Sequence, residues 1–173
     1  GQDMVAADVC QTSRQALCQL AESGNPHFRL GGLNAVMNRQ RRAAIAHETL
    51  TILNSGRYVT SAGQSLSIAP ALRAAVDNTA LYLSEQPIGA WRAVFGERMR
   101  VAVTNRSTLT AAYYLNTQYA RVTALNFASA KHPGGGFLAG AQAQEESLAR
   151  ASGLYACLKA RFEFYAQHRE RET

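Results

Sequence analysis

The sequence predicts an α/β fold with a mixed, partly parallel sheet, and two observations support this prediction. Residues 100–104 are rich in β-branched side chains, residues 121–127 are a second predicted strand, and a helical pattern separates them, so strand, helix and strand follow within about thirty residues. Such a unit builds parallel, buried strands. The stretch Lys131-His132-Pro133-Gly134-Gly135-Gly136 then leaves the carboxyl end of the second strand, where open α/β sheets bind ligands.

The amino-terminal part is predicted to be helical, with one hairpin. Gly24-Asn25-Pro26 ends a run of good helix formers, and Gly56 suits the position after a helix whose apolar residues recur at helical spacing. Gly63-Gln64 is typical of a turn, and Pro70 can open a helix. In chain order the expected elements are a helix over 8–22, a helix over 38–54, a hairpin of 58–60 with 66–68, and a helix from 70 to about 78.

The carboxyl-terminal part continues the strand and helix alternation. Ser107 is a plausible N-cap for a helix over 108–116, which makes a right-handed crossover between the two predicted strands. From about Ala143 the chain is expected to be helical again. One apolar stripe of that helical region comprises Leu148, Ser152, Tyr155, Leu158, Phe162 and Tyr165.

Composition limits the classes of function. The chain has 173 residues, of which 47% are hydrophobic, and this suits one domain with a real core. It has no apolar run long enough to span a membrane and no secretory pattern at its start, so we expect a cytoplasmic protein without membrane partners. The cysteines Cys10, Cys18 and Cys157 are odd in number, and the histidines are scattered singly, so we expect free thiols and no metal site.

The formal net charge of +6 favours an anionic partner without identifying one. The densest basic cluster is Arg39, Arg41 and Arg42. It is consistent with nucleic-acid binding, but equally with the solvated start of a helix. Nucleic acid is therefore not expected to be the main ligand.

The glycine triplet and the acidic pair downstream of it predict a site. Gly134, Gly135 and Gly136 leave the backbone N–H groups accessible, so the loop can form an anion-binding concavity, although a plain flexible turn is as consistent. Glu145 and Glu146 can supply acid chemistry beside it, or can simply complement a helix dipole. Adjacent helical residues diverge by about 100°, so the two carboxylates are not expected to face each other across a glycosidic bond. If they act on a sugar, one is expected to donate a proton to the leaving oxygen and the other to bind ribose hydroxyls.

Residues 126–148 resemble the signature region of the bacterial-type poly(ADP-ribose) glycohydrolases. The mark of that family is three glycines followed, after six to eight residues, by Gln-Glu-Glu; here seven residues separate Gly136 from Gln144-Glu145-Glu146. Residues 149–155 and the helix around 38–43 are also similar to the family. One departure is Ser129, which stands in the triplet Phe127-Ala128-Ser129 where related enzymes often have Asn.

The resemblance implies a macrodomain-like three-layer α/β/α sandwich. We place an N-terminal helical extension, packed on the core, at residues 1–60 and the macrodomain-like core at 61–173. Because the family continues past the last predicted helix, the resemblance implies that the core is incomplete at its C-terminus. It also implies a bacterial protein of the DNA damage response that needs no metal or redox cofactor.

By the same resemblance, the substrate is poly(ADP-ribose), cleaved at the ribose–ribose O-glycosidic bond to release ADP-ribose, and the partners are poly(ADP-ribose), ADP-ribose and ADP-ribosylated proteins. Glu146 is expected to be the general acid, with Glu145 holding ribose hydroxyls. Further substrate contacts are expected at Gly134, Gly135, Gly136, Phe137, Gln144, Asn126 and Ser129.

Three alternatives remain open from the sequence. One is an ADP-ribose-binding module without turnover, and another is a hydrolase acting on single ADP-ribosyl groups at a protein link. The third is a nucleic-acid binder that uses the basic cluster. An activity assay with product analysis separates them. Trp91 and Tyr82 are expected to pack in the core rather than line a pocket.

Overall fold

A computed structural model describes residues 4–7, 37–82 and 100–170 of the chain. These residues form a helix-rich α/β arrangement with small sheets. In chain order the elements are β1 (Met4–Ala7), α1 (Arg39–Ser55), β2 (Arg57–Val59), β3 (Ser65–Ser67), α2 (Ala69–Asp77), β4 (Thr79–Tyr82), α3 (Thr108–Asn116), a 3₁₀ turn (Phe137–Ala139), α4 (Gln144–Ala151), α5 (Leu154–Lys159) and α6 (Phe162–Glu170).

Local signals correctly predicted α1, the hairpin of β2 and β3, and α2. The Asn38 side chain accepts a hydrogen bond from the Arg41 N–H at 2.8 Å and so begins α1, which ends at Gly56 in the left-handed conformation. The hairpin of β2 and β3 is antiparallel, with Tyr58 opposite Leu66. α2 has Pro70 in its first turn, as expected.

The predicted strand–helix–strand unit is only partly correct. α3 is present, and the Ser107 hydroxyl caps it by accepting from the Thr110 N–H. However, residues 100–104 and 121–127 form no strand. A strand requires a backbone partner, which composition cannot guarantee, and here Val101, Val103, Leu125 and Phe127 are largely exposed.

Both described sheets are two-stranded and antiparallel, so the predicted parallel pairing is wrong for the described residues. β1 pairs with β4, with Met4 opposite Tyr82 and Ala7 opposite Thr79. Neither strand was predicted, because each depends on a partner more than seventy residues away in sequence. Tyr82, expected in the core, is instead a half-exposed residue of β4. Trp91 and the predicted helix over 8–22 lie outside the described residues.

The apolar stripe after Ala143 runs through three short helices, not one. Ser152 adopts an extended backbone conformation and separates α4 from α5. As a result, Tyr155 packs with Phe137, Ala46 and Ala149. Leu158 and Tyr165 pack in a second cluster with Phe164.

The first of these clusters positions the glycine loop, which we define as residues 129–140. Helix α1 packs against the 3₁₀ turn and α4, with Ala46 and Phe137 buried between them. The Thr49 hydroxyl also donates to the Arg150 carbonyl oxygen at 2.7 Å, which ties α1 to the end of α4. The glycine loop is therefore supported on one side by packed side chains of α1 and α4.

The division of the chain into a helical extension and a core at residue 60 stays a prediction.

Candidate active site

Two glycines give the glycine loop its shape. Gly134 and Gly135 have φ angles of 72° and 55°, in the left-handed region that residues with a Cβ rarely adopt. The Gly135 N–H donates to the His132 carbonyl oxygen at 3.0 Å, and the Phe137 N–H donates to the Gly134 carbonyl oxygen at 3.2 Å. The loop is thus a tight, internally bonded turn that leads into the 3₁₀ turn.

Glu145 fastens this loop from the first turn of α4. Its side chain is only 3% exposed. Oε1 accepts a hydrogen bond from the Gly134 N–H at 3.1 Å, and Oε2 accepts one from the Ser129 N–H at 2.8 Å. One carboxylate therefore holds both ends of the segment from Ser129 to Gly134. The hydrogen bonds that it accepts offset part of the free-energy cost of burying it.

Burial raises the pKa of Glu145 above its ordinary value of 4.5. The hydrogen bonds from the Ser129 and Gly134 N–H groups oppose this effect, since they stabilise the charged form. The neighbouring charge of Glu146 adds to the rise, and a hydrogen bond from the Asn126 side chain works against it. Desolvation is the largest of these influences, so the carboxyl binds its proton more tightly in the folded protein than in the unfolded chain.

Glu146, the next residue of α4, also contacts the glycine loop and is only partly buried. Its Oε1 accepts a hydrogen bond from the Gly136 N–H at 3.0 Å. Within the described residues, Oε2 makes no hydrogen bond.

Both carboxylates border Gly135. A Cβ added to this glycine would lie 2.5 Å from Glu146 Oε1 and 3.2 Å from Glu145 Oε2. The side chains diverge at their α-carbons but bend toward the same loop residue. The structure thus brings the glycine triplet and the acidic pair into one site.

The N–H groups of the glycine loop are used differently from the simplest sequence expectation. That expectation was an open concavity for a ligand anion. In the structure the Gly134 and Gly136 N–H groups bind the protein's own carboxylates, while those of Gly135 and Phe137 bind loop carbonyl groups. The loop does bind anions, and those anions are the two glutamates.

The other predicted contact residues lie around the same loop. The Ser129 hydroxyl accepts from the Lys131 and His132 N–H groups at 3.2 and 3.1 Å, so it shapes the turn that follows it. Asn126 presents a buried Oδ1 that has no partner in the described part of the chain. Phe137 is 1% exposed and packs against the Tyr155 ring, at 4.9 Å between centroids, rather than facing solvent.

Three arginines bind the end of the glycine loop and the residue that follows it, which the sequence did not suggest. Arg39, Arg42 and Arg150 donate to the carbonyl oxygens of Ala139, Gly140 and Ala141, at 2.9, 2.7 and 2.7 Å respectively. Arg39 and Arg42 lie three residues apart on α1 and so share a face, a signal that could have indicated a common target. Their contacts favour a supporting role over nucleic-acid binding.

Tyr165 is a further residue that sequence reasoning placed only in the apolar stripe. It is fully buried, and its hydroxyl has no hydrogen-bond partner in the described part of the chain. Burial raises the pKa of Tyr165, and the charge of Glu145 raises it further. The phenol therefore stays neutral beside the carboxylate.

The described residues offer few other reactive groups. Among residues 37–82 and 100–170, no cluster of three or more His, Cys, Asp and Glu side chains could hold a metal ion. Cys157 is buried as a free thiol, whereas Cys10 and Cys18 lie outside the described residues. No helix in the described ranges combines the length and apolar character that a membrane crossing requires.

The fold and the site together define an α/β protein whose glycine loop binds a pair of adjacent glutamates. Residues 46–173 match the family described as microbial-type PARG, catalytic domain, and the chain belongs to this family. No curated protein gave a significant match.

Solved structures of one enzyme resemble this chain. Poly(ADP-ribose) glycohydrolase from Thermomonospora curvata is 45% identical, with a TM-score of 0.69, over 77% of this chain and 50% of that one. The same enzyme bound to the inhibitor ADP-HPD is 47% identical, with a TM-score of 0.65, over 76% and 48%. The present chain thus spans about half the length of the solved structures that it matches.

Replacing Gly135 by Ala tests the close contact with the glutamates. Gly63 is the matched control, because it has a φ of 77° but nothing within 4 Å of an added Cβ. Both substitutions should lose about 1 kcal/mol or more to backbone strain, and Gly135→Ala should lose about 0.5–1.5 kcal/mol beyond that, because the methyl group displaces Glu146 Oε1 from its hydrogen bond with the Gly136 N–H. Urea unfolding measures both losses, and equal losses would contradict the described packing.

The pH dependence of stability tests the burial of Glu145. Because its folded pKa is raised, the stability that it contributes is fully present below its ordinary pKa of 4.5 and is lost as pH rises through the folded pKa. The free energy of unfolding of the wild type, minus that of Glu145→Gln, should therefore fall as pH rises from 4.5. Urea titrations of both proteins in steps of pH give this difference, and a rise with pH would show that Glu145 is not desolvated.

Proposed function

We propose that this chain carries the catalytic carboxylates of a poly(ADP-ribose) glycohydrolase and cleaves ribose–ribose O-glycosidic bonds to release ADP-ribose. The observation that supports this most directly is the arrangement around Gly135, where both carboxylates border one glycine and Glu146 Oε2 makes no hydrogen bond in the described chain. Family membership supports the same chemistry.

In the proposed reaction, Glu146 is the general acid. Its Oε2–H donates a proton to the glycosidic oxygen as the bond between that oxygen and the anomeric carbon breaks. Positive charge develops on the ribosyl group and is stabilised by nearby anionic groups, among them the substrate diphosphate. Water then adds to the anomeric carbon and returns a proton to the Glu146 carboxylate, which restores the enzyme.

The remaining site residues hold the sugar and the glycine loop. We propose that Glu145 accepts hydrogen bonds from ribose hydroxyls with the lone pairs that the loop N–H groups leave available. The unpartnered Oδ1 of Asn126 is a second acceptor for a ribose hydroxyl, because a buried acceptor without a donor is costly. The surface of Gly134, Gly135 and Gly136 is the wall for the terminal ADP-ribose, with the Ser129 hydroxyl beside it. Phe137 supports this wall from the core.

The proposed ligands are anionic. A formal net charge of +6 favours a polymer that carries a diphosphate in each unit, and higher ionic strength should weaken its binding. A relative binds the inhibitor ADP-HPD, and we propose that this chain also binds it. ADP-ribosylated proteins are then the macromolecular partners.

The macrodomain-like α/β/α sandwich belongs to the same proposal. It is supported by membership of the family and by the similarity to the solved structures, with a TM-score of 0.69 over 77% of this chain.

Glu146→Gln tests the role of the general acid. The amide oxygen can still accept from the Gly136 N–H, but the side chain has no acidic proton, so release of ADP-ribose from poly(ADP-ribose) should fall by about 10²–10⁴-fold. The affinity for ADP-ribose, measured by calorimetry, should stay within about threefold of that of the wild type, because the contacts with the bound product are kept.

Glu48→Gln is the control, since it makes the same chemical change at an exposed position of α1. It should cleave the polymer at the wild-type rate. Undiminished turnover by Glu146→Gln would show that another group supplies the proton. ADP-ribose binding without turnover by the wild type would favour the binding module.

A further inference from the structure

The carboxamide of Gln144 makes a pair of backbone contacts that a neighbouring strand would normally make. Its Oε1 accepts a hydrogen bond from the Phe127 N–H at 2.8 Å, and its Nε2 donates to the Leu125 carbonyl oxygen at 2.6 Å. These two backbone groups are separated by one residue and point to the same side of an extended chain. In a parallel ladder, a single residue of the adjacent strand binds such a pair.

The same side chain also reaches a third part of the molecule. Its Nε2 lies 3.3 Å from the hydroxyl of Thr108, the first residue of α3. Gln144 is itself the first residue of α4. One carboxamide therefore joins the beginnings of two helices to the segment that precedes the glycine loop.

The segment fixed by Gln144 is the one that meets Glu145. Asn126 lies between the two bonded backbone groups and donates from its side chain to Glu145, and the Ser129 N–H donates to the same carboxylate. Consecutive residues of α4 thus bind one segment at successive points. If residues 125–127 moved, the Asn126 side chain and the Ser129 N–H would also shift relative to the Glu145 carboxylate.

We propose that Gln144 is a positioning residue, which replaces a neighbouring strand at Leu125 and Phe127 and thereby holds Asn126 and Ser129 against Glu145. This differs from the sequence prediction, in which Gln144 contacts substrate. Both polar atoms of its carboxamide are already bonded to the protein, so its effect on ligand binding is exerted through the segment. The effect of Gln144 on ligand binding rests on the proposed function. Its effect on the conformation of residues 125–129 does not.

Gln144→Glu tests the proposal because a carboxyl group resembles a carboxamide only when it is protonated. At pH 7.5 the introduced carboxylate can accept from the Phe127 N–H but cannot donate to the Leu125 oxygen, and two oxygens then face each other. Near pH 4.5, close to the ordinary pKa of a glutamate at about 4.3, the protonated form can donate again. The matched control is Gln142→Glu, which adds the same charge two residues away on an exposed side chain.

Two measurements are compared with the wild type at each pH. At pH 7.5, hydrogen exchange of the amides of residues 125–129 should be faster in Gln144→Glu by about tenfold or more, and its affinity for ADP-ribose should be lower by a similar factor. Near pH 4.5 both ratios should return to within about twofold of the wild type. Gln142→Glu should match the wild type in both measurements at both pH values.

The proposal is overturned if Gln144→Glu exchanges like the wild type or like Gln142→Glu at pH 7.5, or if acid restores neither ratio. If Gln144→Glu does not fold, Gln144→Asn replaces it, because its carboxamide is one methylene group too short to reach both backbone groups. It should lose protection at both pH values, and wild-type protection would overturn the proposal. A wild type that binds no ADP-ribose would refute the proposed function, while the exchange measurement would still decide the role of Gln144.

Discussion

The buried carboxylate of Glu145 is the constraint on which the site depends. A charge with 3% exposure is tolerated only where donors surround it, and here they come from the backbone of Ser129 and Gly134 and from the side chain of Asn126. These donors lie on one loop, so satisfying the charge also fixes the path of that loop. Gly134, in the left-handed conformation, donates its N–H to this carboxylate, and Gly135 lacks a side chain because an added Cβ would lie 2.5 Å from Glu146 Oε1 and 3.2 Å from Glu145 Oε2.

With the loop fixed, the two glutamates differ in what they can do. Glu145 has both oxygens bonded to backbone N–H groups, whereas Glu146 has one oxygen bonded to the Gly136 N–H and the other without a hydrogen bond in the described chain. Adjacent acids thereby differ in their surroundings: Glu145 organises the loop, and Glu146 keeps one oxygen without a hydrogen bond in the described chain. Three guanidinium groups donate to the carbonyl oxygens of residues 139–141 and so hold the chain where the loop ends.

The parts of this structure that depend on neighbours in sequence could be predicted, and the parts that depend on distant residues could not. Asn38, Gly56 and Ser107 mark helix ends by local hydrogen bonding, and the helices they bound are present. The strands expected at 100–104 and 121–127 required partners that composition does not reveal, and β4 was missed because its partner is β1. Within the site, the sequence indicated the glycines and the glutamates, but it could not show that the loop N–H groups would be taken up by those glutamates.

The most direct test of this account is a crystal structure of the chain with ADP-ribose bound. We expect the oxygen on the anomeric carbon of the terminal ribose to lie within about 2.6–3.2 Å of Glu146 Oε2. The Gly134 and Gly136 N–H groups should remain bonded to Glu145 and Glu146. A diphosphate bound to those N–H groups in place of the carboxylates, or a ribose bound away from Gly135, would contradict the account.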